Sequence, residues 1–122
     1  MLKITELTIG DWVFDGTTKA QIIGITCDGE IETTFNEHSN IELIEPISIT
    51  PEILEKNGFA IEDDDTYVWR HESGLEKIIW FDGGCTTVTS VRCDRIYEGY
   101  CYDVHELQHA LKICGINKEI VL

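Results

Sequence analysis

The sequence has few basic residues and no long apolar run, and each absence excludes a class of function. Nine lysines and arginines stand against 23 aspartates and glutamates, which gives a formal charge of −14. This balance argues against a nucleic-acid binder that neutralises phosphates, and against docking on an anionic membrane surface. No apolar run approaches the ~20 residues of a membrane span, and the N-terminal stretch lacks the features of a signal peptide. We therefore expect a cytoplasmic protein.

Metal and cofactor motifs are also scarce. The cysteines are Cys27, Cys85, Cys93, Cys101 and Cys114, and they include no Cys-x-x-Cys. Because free Cys behaves as a small hydrophobe, reduced and buried thiols are expected. A structural zinc site using Cys93, Cys101 and a histidine is an alternative, although its spacing fits no zinc template. There is no phosphate-binding glycine loop, and no cofactor is predicted.

What is present begins with a small β module over residues 1–49. Its β-prone runs cover residues 8–14, 21–27, 30–35 and 41–44. The dipeptide Asp28-Gly29 is typical of a two-residue hairpin turn. Ile31, Thr33 and Phe35 alternate with polar residues, which predicts one buried face and one solvated face. Short strands in this number predict an SH3-like β barrel or a curled sheet.

Residues 50–122 are predicted to form an α+β module, or the second part of one continuous domain. Thr50 is a favourable N-cap, and Pro51 occupies the first helical position. Gly58 can adopt the left-handed conformation that ends a helix. A short linking helix is therefore expected between the two modules.

An antiparallel meander packed with a C-terminal helix is predicted to complete the α+β fold. Four β-prone runs separated by turn residues lie between residues 66 and 102, after an acidic loop at 62–65. A helix is expected over 104–114. Residues 118–122 are expected to return to the sheet as an edge strand.

The predicted C-terminal helix contains His105-Glu106-x-x-His109, the short signature of zinc metallopeptidases. In such a site both histidines bind zinc and the glutamate activates the metal-bound water. The same residues also suit an ordinary helix start, because Asp103 and Glu106 have capping-box spacing. The chain has Lys112 and Gly115 where the metzincin continuation needs glycine and histidine, so a third ligand is missing.

Helical periodicity gives a second reason to favour an ordinary amphipathic helix. The residues predicted on the apolar arc are Val104, Leu107, Ala110, Leu111 and Cys114. His105, His109 and Lys112 fall on the opposite arc, which is predicted to be polar. We therefore predict no catalytic residue and no metal ligand, and the alternative is a zinc site with His105 and His109 as ligands and Glu106 as base.

Two further features allow alternative interpretations. The acidic run Glu62–Asp65 either belongs to a dispersed solvated surface or contributes to a DNA mimic. Six aromatic residues of the meander either pack against the helices, which is favoured, or line a recognition surface: Tyr67, Trp69, Trp80, Tyr97, Tyr100 and Tyr102. His38 and His71 have no recognisable nucleophile nearby in sequence, and His71 is interpreted as a structural strand residue.

Three segments resemble a family of small uncharacterised proteins of Bacteroides-type gut bacteria and their prophages. The matching segments are residues 6–13 (ELTIGDWV), 44–59 (IEPISITPEILEKNGF) and 104–111 (VHELQHAL). The family has no established activity, so the resemblance implies no catalytic residue. Its ending is similar at His105, Leu107 and Gln108 but not at Glu106 and His109. A setting in phage–host or element–host interplay is implied.

These observations predict a non-enzymatic module that binds another protein, within mobile-element biology. The first alternative is an acidic DNA mimic or an inhibitor of a nucleic-acid-binding protein, which requires Glu62–Asp65 and neighbouring acids to share one face. The second alternative is the zinc hydrolase. The sequence itself identifies neither the partner nor the oligomeric state.

Overall fold

The fold is α+β, with two antiparallel sheets and a C-terminal helix, in a computed structural model that describes residues 2–122. The chain forms two compact units. One extends to Ser48 and includes Asp103–His105, and the other comprises Ile49–Tyr102 and Glu106–Leu122. The predicted α+β class and C-terminal helix are confirmed.

The first unit contains a four-stranded sheet in the order β3-β2-β1-β4. Its strands are Trp12–Asp15 (β1), Thr18–Ile25 (β2), Ile31–Thr33 (β3) and Ile44–Pro46 (β4). All three pairings are antiparallel. Within residues 2–122 the sheet is not closed into a barrel. The predicted first strand starts later than expected, because Thr8–Asp11 forms a turn in which the Asp11 carboxylate accepts from the Thr8 backbone N–H at 2.8 Å.

The core of the first unit is aliphatic. Val13, Ile22, Ile31 and Ile44 are each 0% exposed. Burying each of these side chains contributes about 1.5–3 kcal/mol relative to leaving it exposed. Leu2 and Leu7 belong to the same cluster, so the segment before β1 is held by the sheet that it covers.

A buried carboxylate joins three segments of this unit. Asp15, 3% exposed, ends β1, and its Oδ2 accepts from the hydroxyls of Thr33 at 2.8 Å and Ser39 at 2.5 Å. Buried charges are tolerated when hydrogen bonds replace the lost hydration. Asp15 therefore fixes the end of β3 and the following loop against β1.

The β2–β3 connection differs from the predicted two-residue turn. It runs from Thr26 to Glu30, where the Thr26 N–H donates to the Glu30 carbonyl at 3.0 Å and the Thr26 hydroxyl accepts from the Glu30 N–H at 3.0 Å. Gly29 has φ +85° and supplies the left-handed residue of this longer loop. The Thr26 hydroxyl therefore pairs with the Glu30 N–H, which in a two-residue turn would pair with the backbone of the opposite strand.

The predicted alternation over Ile31, Thr33 and Phe35 is correct only for the first two. Ile31 and Thr33 are buried, but Phe35 is 60% exposed. The strand ends at Thr33, whose N–H donates to the Asn36 carbonyl at 2.8 Å and whose hydroxyl accepts from the Phe35 N–H at 3.2 Å. The chain therefore turns before Phe35 can take the next inward position.

The strand predicted over 41–44 is present but begins only at Ile44. Ile41–Leu43 forms a 3-10 turn, and the strand follows it. The Asn40 side chain accepts from the Glu42 N–H at 3.0 Å, and the Asn40 carbonyl accepts from the Leu43 N–H at 2.9 Å. An asparagine that caps the backbone in this way competes with strand pairing.

The second unit contains a five-stranded sheet in the order β5-β6-β7-β8-β9. Its strands are Ala60–Asp63 (β5), Thr66–Arg70 (β6), Glu76–Phe81 (β7), Cys85–Ser90 (β8) and Arg95–Tyr100 (β9). The predicted meander is confirmed, and it gains β5 at one edge. The expected acidic loop at 62–65 is therefore partly strand, because Ala60 and Ile61 pair with β6 and carry the chain through the first two acids.

Both predicted helices are present. The first is Pro51–Lys56 (α1), where the Thr50 hydroxyl accepts from the Ile53 N–H at 3.3 Å. The second is Val104–Ile113 (α2). All five residues predicted on its apolar arc are buried, from Val104 to Cys114. Glycines with positive φ follow both helices, as expected.

Residues 118–122 do not form the predicted edge strand. The Asn57 side chain, which follows α1, donates to the Val121 carbonyl at 2.8 Å and accepts from the Val121 N–H at 2.8 Å. One buried amide therefore satisfies the backbone groups of Val121 that a neighbouring strand would have paired.

Candidate functional site

The histidines of the zinc-like motif have unequal surroundings. His105 is 4% exposed, His109 is half-buried, and Lys112 is exposed. The prediction that His105 lies on a polar face was wrong. The segment Ile47–Ser48 runs beside the start of the helix that carries His105. The Val104 N–H donates to the Ile47 carbonyl at 2.8 Å, and Ser48 forms a β-bridge with Asp103.

Glu106, the candidate base, is engaged at the start of the helix. Its Oε1 accepts from the Tyr102 N–H at 3.0 Å. This resembles the predicted capping box, in which the third helical residue reaches back to the preceding backbone, here to the Tyr102 N–H. Among residues 2–122, no three His, Cys, Asp or Glu side chains are grouped so as to hold a metal ion.

The cysteines divide into two classes, so the expectation of buried thiols was correct for only some of them. Cys27, Cys85 and Cys93 are exposed, whereas Cys101 and Cys114 are buried. Burial raises the pKa of both buried thiols above the usual value. The exposed cysteines lie in a loop, at a strand start and in a turn, where no apolar layer covers them.

The isolated histidines make local contacts. His71 lies just after β6, and its Nδ1 accepts from the Ser73 N–H at 3.0 Å, so it shapes the β6–β7 turn. His38 is exposed, with its Nδ1 3.1 Å from Oε2 of Glu30. The structural role predicted for His71 fits this arrangement, although the residue lies in a turn and not in the strand.

The acidic run occupies the exposed β5–β6 hairpin. All four residues from Glu62 to Asp65 are exposed, and Glu62 forms an ion pair with Arg70. The hydrogen bond from Arg70 lowers the pKa of the Glu62 carboxyl and raises that of the guanidinium. One of the four charges is therefore neutralised locally.

The opposite edge of the sheet, β9, has a different chemistry. Strand β9 pairs with β8 in unbroken register from Arg95 to Tyr100, and in the sheet order it is the last strand. Its outer backbone edge therefore carries N–H and C=O groups with no strand beside them in the part of the chain that the structure describes. Such an edge is able to accept an added strand.

Exposed side chains alternate along β9. Ile96 is 62% exposed, Tyr100 is 59% exposed, and Glu98 lies exposed between them. Successive strand residues point to opposite faces, so these three side chains share one face of the sheet. On the other face Arg95 donates to the carbonyl of Ile113, the last residue of α2, at 2.9 Å.

Ring stacking and two hydrogen bonds hold the end of β9. The ring of Tyr100 stacks on Tyr102 with centroids 5.8 Å apart and planes inclined by 10°. The Cys101 N–H donates to the Gly84 carbonyl at 2.8 Å, and its carbonyl accepts from the Trp80 indole at 2.9 Å. Burial and the adjacent Cys101 raise the pKa of Tyr97 on the inner face.

The six meander aromatics are therefore divided between core and surface. Tyr67 and Trp80 are buried, as the packing interpretation predicted, but Tyr100 and Tyr102 are exposed. The sequence could not separate the two groups, because strand alternation gives opposite faces without saying which face the helices cover. Ile96 was missed as a surface residue for the same reason.

No helix within residues 2–122 combines the length and apolarity that a bilayer crossing requires. In comparisons with known proteins, no protein-family profile, no curated protein and no solved structure matched the chain.

Proposed function

We propose that the chain is a non-enzymatic protein-interaction module that takes up an extended segment of another protein along β9. The observation that carries this proposal is the regular outer edge of β9, with exposed Ile96 and Tyr100 on either side of Glu98. In strand addition, main-chain hydrogen bonds supply affinity and alternate side chains supply specificity.

The three exposed side chains define the chemistry of the occupant. In an antiparallel pair, residues directly opposite each other lie on the same face and interact. The segment should therefore place apolar residues opposite Ile96 and Tyr100 and a basic residue opposite Glu98. The formal charge of −14 further favours the approach of a basic partner.

A second copy of the chain suits this edge less well. If β9 paired antiparallel with β9 of another copy, the register that matches Ile96 with Tyr100 would set Glu98 opposite Glu98. Like charges directly opposite each other destabilise a pair of strands. Charge complementarity therefore favours a basic segment of a different protein.

The proposal is tested with two synthetic peptides on the intact chain. The sequence Thr-Val-Thr-Lys-Thr-Val-Thr fits the alternation, and the control carries Glu in place of Lys. We expect the lysine peptide to bind at least about tenfold more tightly by fluorescence anisotropy, with its salt sensitivity set by Glu98. Hydrogen exchange should slow at β9 amides. Equal affinities, or no binding at millimolar concentrations, would reject the proposal.

A charge reversal makes the test specific. The substitution Glu98→Lys should invert the preference, so that the glutamate peptide binds more tightly. Glu52→Lys changes the net charge equally on exposed α1 and should leave the preference unaltered. If both variants behave alike, the attraction is a property of the whole acidic surface and not of β9.

The DNA-mimic alternative is supported by the exposure of Glu62–Asp65 on one hairpin. It predicts binding to a basic nucleic-acid-binding protein that is lost in a variant neutralising Asp63–Asp65, with β9 variants unaffected. The zinc-hydrolase alternative has less support, because the Glu106 carboxylate accepts from the Tyr102 N–H at 3.0 Å.

Membership of the Bacteroides and prophage family, a cytoplasmic location and an SH3-like character of the first sheet are parts of the same proposal. The resemblance over residues 44–59 supports the family assignment. Recovery of the chain's gene within integrated phage or mobile elements would support the setting, and consistent placement among housekeeping genes would contradict it.

A further inference from the structure

A cleft lies in the second unit, away from β9. It has a volume of about 280 Å³. Its side chains come from the end of β6, the start of β7, the turn after β8 and the segment after α2, and they are Trp69, His71, Glu76, Arg92, Asn117 and Lys118. Two bases, one acid, an imidazole, an amide and an indole therefore surround one small space.

Glu76 is the residue that the fold leaves unexplained. It is 6% exposed and lines the cleft, yet within residues 2–122 its carboxylate forms no hydrogen bond or ion pair. Among the described residues, the Glu76 oxygens are not fully buried atoms, so the carboxylate is open to the cleft that it lines. A cationic group bound in the cleft would supply the missing partner.

The two bases of the cleft do not fill that role. Neither Arg92 nor Lys118 lies within 4.0 Å of the Glu76 carboxylate. The Lys118 Nζ instead lies over the Trp69 ring, 4.8 Å from its centroid. Desolvation lowers the pKa of Lys118, so an anion beside it would stabilise its charged form.

His71 also lines the cleft. Its Nδ1 accepts from the Ser73 N–H at 3.0 Å. The Ser73 hydroxyl lies 2.7 Å from the same nitrogen. When Nδ1 accepts, the ring proton is on Nε2, which is then a donor. The cleft thus presents a carboxylate for a cation, and donors and positive charges for an anion.

We infer that this cleft binds a small zwitterion carrying both an ammonium and a carboxylate group, the chemical class of a free α-amino acid. The ammonium group pairs with Glu76, and the carboxylate is held by Arg92 and Lys118. Opposite charges kept apart around a cleft suit a dipolar ligand better than a simple cation or anion. The volume equals that of about nine waters, which admits a molecule of this size.

The test uses the intact chain and a panel of free L-amino acids. Thermal shift identifies the best binder, and calorimetry then compares it with its N-acetyl derivative, which lacks the ammonium, and its amide, which lacks the carboxylate. We expect both derivatives to bind at least about tenfold more weakly. Equal binding of the amide would make this a simple cation site, and equal binding of the N-acetyl derivative a simple anion site. Either result would overturn the zwitterion assignment.

Matched variants locate the binding. Glu76→Gln keeps the side-chain shape and should weaken the best amino acid by about tenfold or more, whereas Glu72→Gln, exposed in the same hairpin, should not. Melting of each variant confirms folding. If no amino acid binds at 10 mM and Glu76→Gln raises the melting temperature, Glu76 is only a buried acid and the inference fails; this outcome is separate from peptide binding at β9.

Discussion

The two edges of the five-stranded sheet are built in opposite ways. Strand β5 is short, its register with β6 shifts between Ile61 and Asp63, and it leads into Asp64 and Asp65. Strand β9 pairs without interruption and exposes Ile96 and Tyr100. Irregularity and charge are the usual means of preventing unwanted strand pairing, and only β5 has both.

The difference leaves β9 the more regular and less charged of the two edges, as the proposed strand binding requires. Its single outward charge, Glu98, does not block a strand of suitable chemistry, but it opposes a second copy of itself. An edge that is blocked to its own copy and open to a basic segment is what a selective strand-binding surface requires. Four predictions test this comparison.

Removing the charge should make β9 associate with itself. In Glu98→Val the outward row becomes continuously apolar, and the like-charge repulsion between two copies disappears. We expect self-association to strengthen by about tenfold or more, seen as dimers or larger species in sedimentation equilibrium. Glu62→Val makes the same replacement on β5 and should leave self-association unchanged, because the bulge and Asp63–Asp65 remain. A monomeric Glu98→Val variant would mean that β9 is inaccessible.

The anchoring of β9 should be sensitive to Gly84. This residue has φ +98°, and a Cβ there would lie 2.7 Å from the Tyr102 ring. Gly84→Ala should lower the free energy of unfolding by about 2–4 kcal/mol and disturb the Tyr100–Tyr102 stack. Gly83→Ala has φ +104° and open space around it, so it should cost only about 1 kcal/mol of backbone strain. Urea denaturation compares them, and equal losses would show that the Tyr102 contact is unimportant.

Cys101, which follows β9, should be protected from alkylation. We expect maleimide to label exposed Cys85 about a hundredfold faster than buried Cys101 in single-cysteine variants. Burial raises the pKa of the Cys101 thiol in the folded state above the ordinary value of 9.0. The buried thiol therefore contributes its full stability below pH 9.0, and this contribution declines as the pH rises above that value. Comparable labelling rates would mean that the end of β9 frays, contrary to the bonds around Cys101.

Local sequence signals predicted the elements better than the surfaces. Thr50, Pro51 and Gly58 specify α1 through backbone chemistry that tertiary contacts do not override. The helical period of α2 likewise identified its buried arc. His105 was misplaced because the burial of a polar residue depends on which distant segment crosses it, here Ile47–Ser48.

The candidate sites were not predictable for a related reason. Ile96 and Tyr100 alternate as any half-buried strand would, and only the order of the sheet makes β9 its edge. Asparagine side chains also replaced strand pairing that the residue pattern predicted. Asn40 binds the backbone of Glu42 within residues 41–43, and Asn57 binds the backbone of Val121 within residues 118–122. Sheet edges and clefts depend on how distant segments are arranged in the fold, and local residue patterns do not show that arrangement.

The smallest expected effect concerns the ion pair between Glu62 of β5 and Arg70 of β6. Glu62→Gln removes the pair with Arg70, whereas Asp64→Asn removes one acid of the same hairpin without breaking an ion pair among the described residues. At pH 7 we expect Glu62→Gln to melt below Asp64→Asn, by no more than about 2 °C, because exposed pairs contribute little.

Acidification should abolish that difference. Since Arg70 lowers the pKa of Glu62, the contribution of the pair is present above the ordinary value of 4.5 and disappears as pH falls through the lower, folded-state value. If the two variants melt together at pH 7, the ion pair adds nothing, and repulsion among Asp63–Asp65 with the bulge is the whole protection of β5. The contrast with β9 would then rest on charge repulsion and backbone irregularity alone, and high salt should weaken it.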